Sequence, residues 1–196
     1  MARATRATKE LSGAQWVARF PGSKALDDLA DPFQGAAKAF IAALLDGGCS
    51  VTIASTFRPP QRAYLMRFST AIARNVLMPE DVPANPDVNI EWVHRTGGQI
   101  DHPKSRSAAL QMMQGYGIDP TSPLPALASR HTERNAVDMT IAWTGVLNIR
   151  DARGKTVQIP DAPGSGLNPQ LHKVGATYKV IKALFQDDPH WSNDGH

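Results

Sequence analysis

Two histidines and two aspartates stand where they could hold a metal ion and work beside it. Ser129-Arg130-His131 is followed by Asp138, and much later by Asp187-Asp188-Pro189-His190-Trp191. Two imidazoles and a carboxylate form a borderline-soft donor set that Zn2+ accepts, and three protein ligands leave a fourth position open for water. His131, Asp138 and His190 are therefore the candidate ligands. Asp187 lies three residues before His190, where it could take a proton from that water. Together these residues make up the parts of a metal-assisted hydrolase.

The same blocks resemble a known family. S-x-H-x-x-x-x-A-x-D, followed much later by D-x-P-H and an aromatic, is similar to the zinc peptidases of the D-Ala-D-Ala carboxypeptidase and L-alanyl-D-glutamate endopeptidase group (M15). Those enzymes cut the short peptides of bacterial cell wall. The family's first block usually reads S-x-H-x-x-G-x-A-x-D. Here Asn135 is read in place of its Gly, Asn being among the residues that best tolerate left-handed backbone angles. A third block begins in the β-branched run from Val51 to Ala54 and continues through Ser55, Thr56, Phe57 and Arg58 to Pro59 and Pro60. It resembles the family's S-G-Y-R-S. Gln61, Tyr64 and Leu65 do not match the family's later spacing and are given no role.

The resemblance implies a role for each position. His131, Asp138 and His190 hold Zn2+, and Asp187 accepts a proton and passes it to the leaving amine. Arg58 contacts substrate and steadies the carbonyl oxygen as charge builds on it. Ser129 contacts substrate or the surroundings of the metal. The substrate is the peptidoglycan stem peptide, and D-x-P-H favours the L-Ala-D-Glu endopeptidase branch. A D,D-carboxypeptidase acting on D-Ala-D-Ala termini, or a non-catalytic wall-binding protein on the same fold, stay as alternatives. Asp188 and Glu133 compete with Asp187 as the base, but the D-x-P-H register favours Asp187. His94, His102 and His172 read as ordinary hydrogen-bonded surface residues, and His196 as a frayed end.

Composition narrows the field. Of 196 residues 42% are hydrophobic and 20% charged, the range of soluble globular proteins. The single cysteine, Cys49, excludes an intramolecular disulfide framework and a Cys-rich zinc site, and it reads as a buried thiol. A net charge of +3 without a basic stripe and interleaved aromatics argues against nucleic acid. No stretch approaches the ~20 apolar residues of a membrane span. No apolar run of signal-peptide length follows the charged opening from Met1 to Arg6. A wall hydrolase of this kind is expected to reach the periplasm or cell wall through a holin-type or dedicated export route, as an endolysin does, and to act as a monomer.

The elements that must position these residues follow from periodicity. Residues 1–22 read as a flexible segment and 23–196 as one peptidase domain. A short helix is expected from Ser23 to Leu29. A second, with Phe33, Ala36, Ala37, Phe40, Ile41 and Leu44 on one face, runs to Gly47-Gly48. A strand over 51–54 leads to Arg58, and a helix spans 62–76. The Pro- and Gly-broken stretch 79–106 reads as a substrate-shaping loop or a plain connection. A short helix over 107–116 stops at Gly117. Then come a strand over 136–143, a hairpin over 145–149 and 156–159, and an amphipathic helix over 171–185. His190 and Trp191 are expected at a sheet edge beside that hairpin. The fold class expected is α+β, a small antiparallel sheet carrying the zinc site and packed against several helices.

Overall fold

Short helices and short, mainly antiparallel strand pairs make an α+β fold in a computed structural model that describes residues 8–183 and 189–196. In chain order the elements are β1 (Glu10–Leu11), α1 (Phe33–Asp46), β2 (Ser50–Ser55), α2 (Pro60–Ala73), β3 (Ile90–Glu91), β4 (Arg95–Thr96) and β5 (Gln99–Ile100). These are followed by α3 (His102–Gly115), β6 (Ala136–Ala142), β7 (Leu147–Arg150), β8 (Thr156–Ile159), α4 (Pro169–Thr177) and β9 (His190–Ser192). They sort into two compact units. One comprises residues 8–21 with 59–127, the other residues 22–58 with the described part of 128–196.

In the first unit Trp16, Tyr64, Leu65, Phe68, Ile72, Val88, Ile90, Trp92, Ala109 and Met112 bury together. Residues 8–21 are therefore built in rather than loose: β1 pairs with β3, and Trp16 is 2% exposed. This corrects the expectation of a flexible segment over 1–22 for its described part. The reason is that Trp16, with Val17 and Phe20, packs into a core the periodicity did not reveal. Helix α3 also starts earlier than expected. The Asp101 carboxylate accepts the Lys104 N–H at 2.9 Å, and Pro103 sits in the first turn, where its missing N–H costs nothing.

The second unit carries the candidate ligands. The 3.6-residue period of α1 buries Phe33, Ala37, Phe40, Ile41 and Leu44. They share a core with Val137, Met139 and Ile141 of β6, Leu171 and Val174 of α4, and Trp191. Each large side chain so buried contributes roughly 1.5–3 kcal/mol. Cys49 lies in the same core, where burial pushes its thiol up to about 11. The three-stranded sheet runs β2-β6-β9, all antiparallel. His190 and Trp191 therefore pair with β6 rather than with the β7-β8 hairpin, because Val137 and Trp191 complete the apolar face over Phe40. Successive side chains of a strand alternate in face, so Asp138 looks out from the side opposite Val137 and Met139.

Two helix expectations are corrected. The segment from Ser23 to Leu29 forms only a 3-10 turn, Leu26–Asp28. Helix α4 ends at Thr177 instead of running to 185: Lys179 adopts a left-handed φ of 66°, and the Val180 N–H returns to the Gly175 oxygen at 3.0 Å. No helix among the described residues is long and apolar enough to cross a membrane.

Candidate metal centre

The sheet register brings two of the candidate ligands together. Asp138 of β6 lies directly opposite His190 of β9, so both side chains share the face away from α1. On the other side, Asp138 pairs with Ser55 across a bulge between Ile53 and Ser55. Such an extra residue bends a strand and re-aims its neighbours. Trp191, fully buried at 5.4 Å from the Phe40 ring centroid, anchors the short strand that carries His190.

His131 arrives from the turn before β6. Its main-chain oxygen accepts the Arg58 N–H at 3.2 Å and the Arg134 N–H at 3.3 Å. The turn needs one left-handed residue, and that residue is Arg134, at φ 63°. This corrects the reading of Asn135. Counted from Ser129, the Gly of S-x-H-x-x-G-x-A-x-D falls on 134. Arg134 holds that costly conformation with its main-chain oxygen bonded by the Ala30 N–H at 2.9 Å and its guanidinium 4.2 Å from the Phe57 ring centroid.

Three donor atoms converge. His131 Nε2 is 3.0 Å and His190 Nδ1 3.1 Å from Asp138 Oδ1. One ligand atom from each residue lies within 4.8 Å of the others, so the group could hold a metal ion. The side chains of His131, Asp138 and His190 are 5%, 20% and 9% exposed, so the carboxylate forms the open side.

The remaining ring nitrogens decide what the cluster can do. His131 Nδ1–H donates to the Thr56 main-chain oxygen, and His190 Nε2–H to that of His196, each at 3.2 Å. A neutral imidazole has one N–H, so a ring that spends it on the main-chain oxygen turns a lone pair toward the Asp138 carboxylate, and a ring that spends it on Asp138 does not. Three electron-rich atoms facing one point suit a cation, and rings backed by main-chain carbonyls are the usual support of metal-binding histidines. Two protons could occupy the same contacts by charging the rings. Burial pushes the Asp138 carboxyl up, but the hydrogen bonds and charge of His131 and His190 outweigh it and hold the group well below the usual carboxylate range. The donor set, two imidazoles and a carboxylate, is one that Zn2+ accepts. The same set also suits Fe2+.

The other expected site residues divide. Arg58 joins the site through its main chain, bonded to His131. Ser129 lies two residues before that ligand, and its Oγ is buried without a hydrogen-bond partner among the described residues. Asp187 lies outside the described residues. Thr56 and His196 were not foreseen as supports, His196 having been read as a frayed end. They act through main-chain oxygens, which any residue type supplies, so no sequence signal marks them. No family model, curated protein or solved structure matches the chain.

Proposed function

We propose that this chain is a zinc-dependent peptidase of bacterial cell-wall peptides, cutting the L-Ala-D-Glu bond of the peptidoglycan stem. The observation that carries the reading is the convergence of His131, Asp138 and His190, with the far nitrogen of each ring committed to a main-chain oxygen. A second observation supports the resemblance of the motif. The position where the family's block has Gly is occupied by a residue in the left-handed region, Arg134.

In this reading His131, Asp138 and His190 hold Zn2+. When bound, it supplies Lewis acidity that polarises the scissile carbonyl and the attacking water. The chain's own groups do the rest. Asp187, three residues before His190 in sequence, takes the water's proton and delivers it to the leaving amine. Arg58, whose main chain is tied to His131, offers a fixed cation to the oxygen that gains charge. The Ser129 hydroxyl, buried and uncommitted among the described residues, donates to a substrate carbonyl or carboxylate. The chain works as a monomer delivered to the wall by a holin-type or dedicated export route.

The test is digestion of purified peptidoglycan by wild type and Asp187→Ala, loaded with zinc or stripped by chelator, with fragments read by mass spectrometry. The expected outcome is zinc-dependent release of fragments with new amino groups on D-Glu, abolished in Asp187→Ala while zinc stays bound. Release of free D-Ala instead would reassign the bond to a D,D-carboxypeptidase. An intact, zinc-loaded wild type that leaves the wall uncut would overturn the peptidase reading.

A further inference from the structure

Behind the two histidine ligands stands a second group of polar residues. The Arg130 guanidinium, next in sequence to His131, pairs with the Asp194 carboxylate and also with Glu133. Asp194 Oδ1 accepts the Ser192 hydroxyl and the His196 N–H, each at 3.2 Å. The Ser192 Oγ in turn accepts the Gly195 N–H at 2.7 Å. These bonds close a turn over residues 192–196 that folds back upon His190. Its last main-chain oxygen accepts the His190 Nε2–H at 3.2 Å.

The turn is built for that return. Ser192 is fully buried and exchanges two main-chain hydrogen bonds with Ile181, at 2.8 and 2.9 Å. Gly195 has a φ of 90°, and a Cβ there would come within 2.6 Å of the Ala183 Cβ and 2.9 Å of its nitrogen. Only glycine lets the chain pass so close. Arg130 holds the Asp194 pKa down to about 2, so the carboxylate is charged at any working pH.

From this geometry we infer that Asp194, held by Arg130, is the positioning residue for His190: it fixes the turn whose His196 oxygen keeps the His190 proton on Nε2 and its Nδ1 lone pair aimed at the metal position. Asp194 touches neither metal nor substrate in this role and is not a catalytic residue. The inference deepens the metal-centre reading and rests on it. Without the carboxylate, Ser192 and His196 lose their shared acceptor and the turn loosens. The His190 proton is then free to move to Nδ1, which removes the ligand lone pair. Loss of such outer support typically weakens metal binding by about 10- to 100-fold.

The experiment uses the full chain, with zinc as the probe. Zinc affinity is measured by competition with a chromophoric chelator for wild type, Asp194→Ala, Asp194→Asn and Arg130→Met. In parallel, long-range 1H–15N spectra of the metal-free proteins at pH 8 report which His190 nitrogen carries the proton. The expected result is Nε2–H in wild type. Asp194→Ala should show a mixture of tautomers and zinc affinity lower by about 10- to 100-fold. Asp194→Asn, which keeps an acceptor for Ser192 and His196, should recover most of the loss, and Arg130→Met should fall between. Zinc binding by wild type together with unchanged tautomer and affinity in Asp194→Ala would overturn the positioning role alone. A wild type that binds no zinc would overturn the metal centre and the inference with it. If Asp194→Ala does not fold, the decision passes to Arg130→Met and to the wild-type spectrum, where Nδ1–H would by itself refute the inference.

Discussion

Replacing Asp138 by Asn separates a metal centre from a structural ion pair, because the two predict opposite signs. Each ligand ring commits one N–H to a main-chain oxygen. A ring that carries no second proton therefore presents a lone pair to Asp138 Oδ1, at 3.0 Å for His131 and 3.1 Å for His190. Without a cation that contact is repulsive. An Asn side chain relieves it, since its NH2 can donate to one ring nitrogen. One hydrogen bond gained is worth about 0.5–1.5 kcal/mol. For a chain of this size each kcal/mol shifts Tm by about 2–4 °C, so metal-free Asp138→Asn should melt a few degrees above wild type. Zinc reverses the order: at a hundredfold excess over Kd, wild type gains about 2.7 kcal/mol, and the variant, lacking its anionic ligand, gains far less. Differential scanning calorimetry with chelator and with excess zinc, alongside tryptophan fluorescence, reads both effects. A metal-free variant destabilised by about 3–5 kcal/mol at pH 8, the cost of breaking a buried ion pair, would refute the argument. It would show that charged rings, not a metal, complete the cluster.

Contacts that hold the Asp138 carboxyl down stabilise the fold above its unfolded value and are lost as pH falls through the folded one. The stability of metal-free wild type relative to Asp138→Asn should therefore fall as pH drops below about 4; denaturant melts across that range check it. Arg58→Ala should cut the rate on peptidoglycan by about 10²–10³, the loss expected of one oxyanion donor, with zinc affinity unchanged; a fall in affinity would make Arg58 structural. Gly175→Ala should destabilise by about 1–3 kcal/mol, because its Cβ would sit 2.7 Å from the Val180 oxygen and 2.9 Å from the Trp191 ring. An unchanged denaturation midpoint would show that this contact can relax.

How far the fold could be read from sequence is clearest at the helix ends. The four α-helices among the described residues stop the same way: one left-handed residue follows the cap, and the next N–H reaches back to the third-last helical oxygen. The left-handed residues are Gly48, Asn75, Gly117 and Lys179. Gly48 and Gly117 mark their stops in the sequence, and the ends of α1 and α3 were read correctly from them. Asn75 is a weaker signal, and the helix expected over 62–76 runs one residue past it. Lys179 is no signal at all, since a lysine gains nothing intrinsic from that conformation. There the apolar pattern of Tyr178 and Ile181 suggested a continuing helix that the backbone does not form.

The candidate site divides along the same physical line. His131, Asp138 and His190 were legible because metal donors are side-chain chemistry, and residue type names them. Their convergence was not, since it depends on β9 pairing with β6 and placing Asp138 opposite His190. A three-residue strand carries too little alternation to declare its register. The supports were hidden more deeply still, because Thr56 and His196 act through carbonyl oxygens. Arg134 is the instructive case. An arginine has no preference for φ 63°, yet the turn that delivers His131 requires that angle at this position. The constraint belongs to the backbone path between Ser129 and Asp138, and residue identity adapts to it: a Gly would accept the angle freely, whereas Arg134 is kept there by its contacts with Ala30 and Phe57. A residue other than glycine can therefore hold that angle and still bring His131 to Asp138.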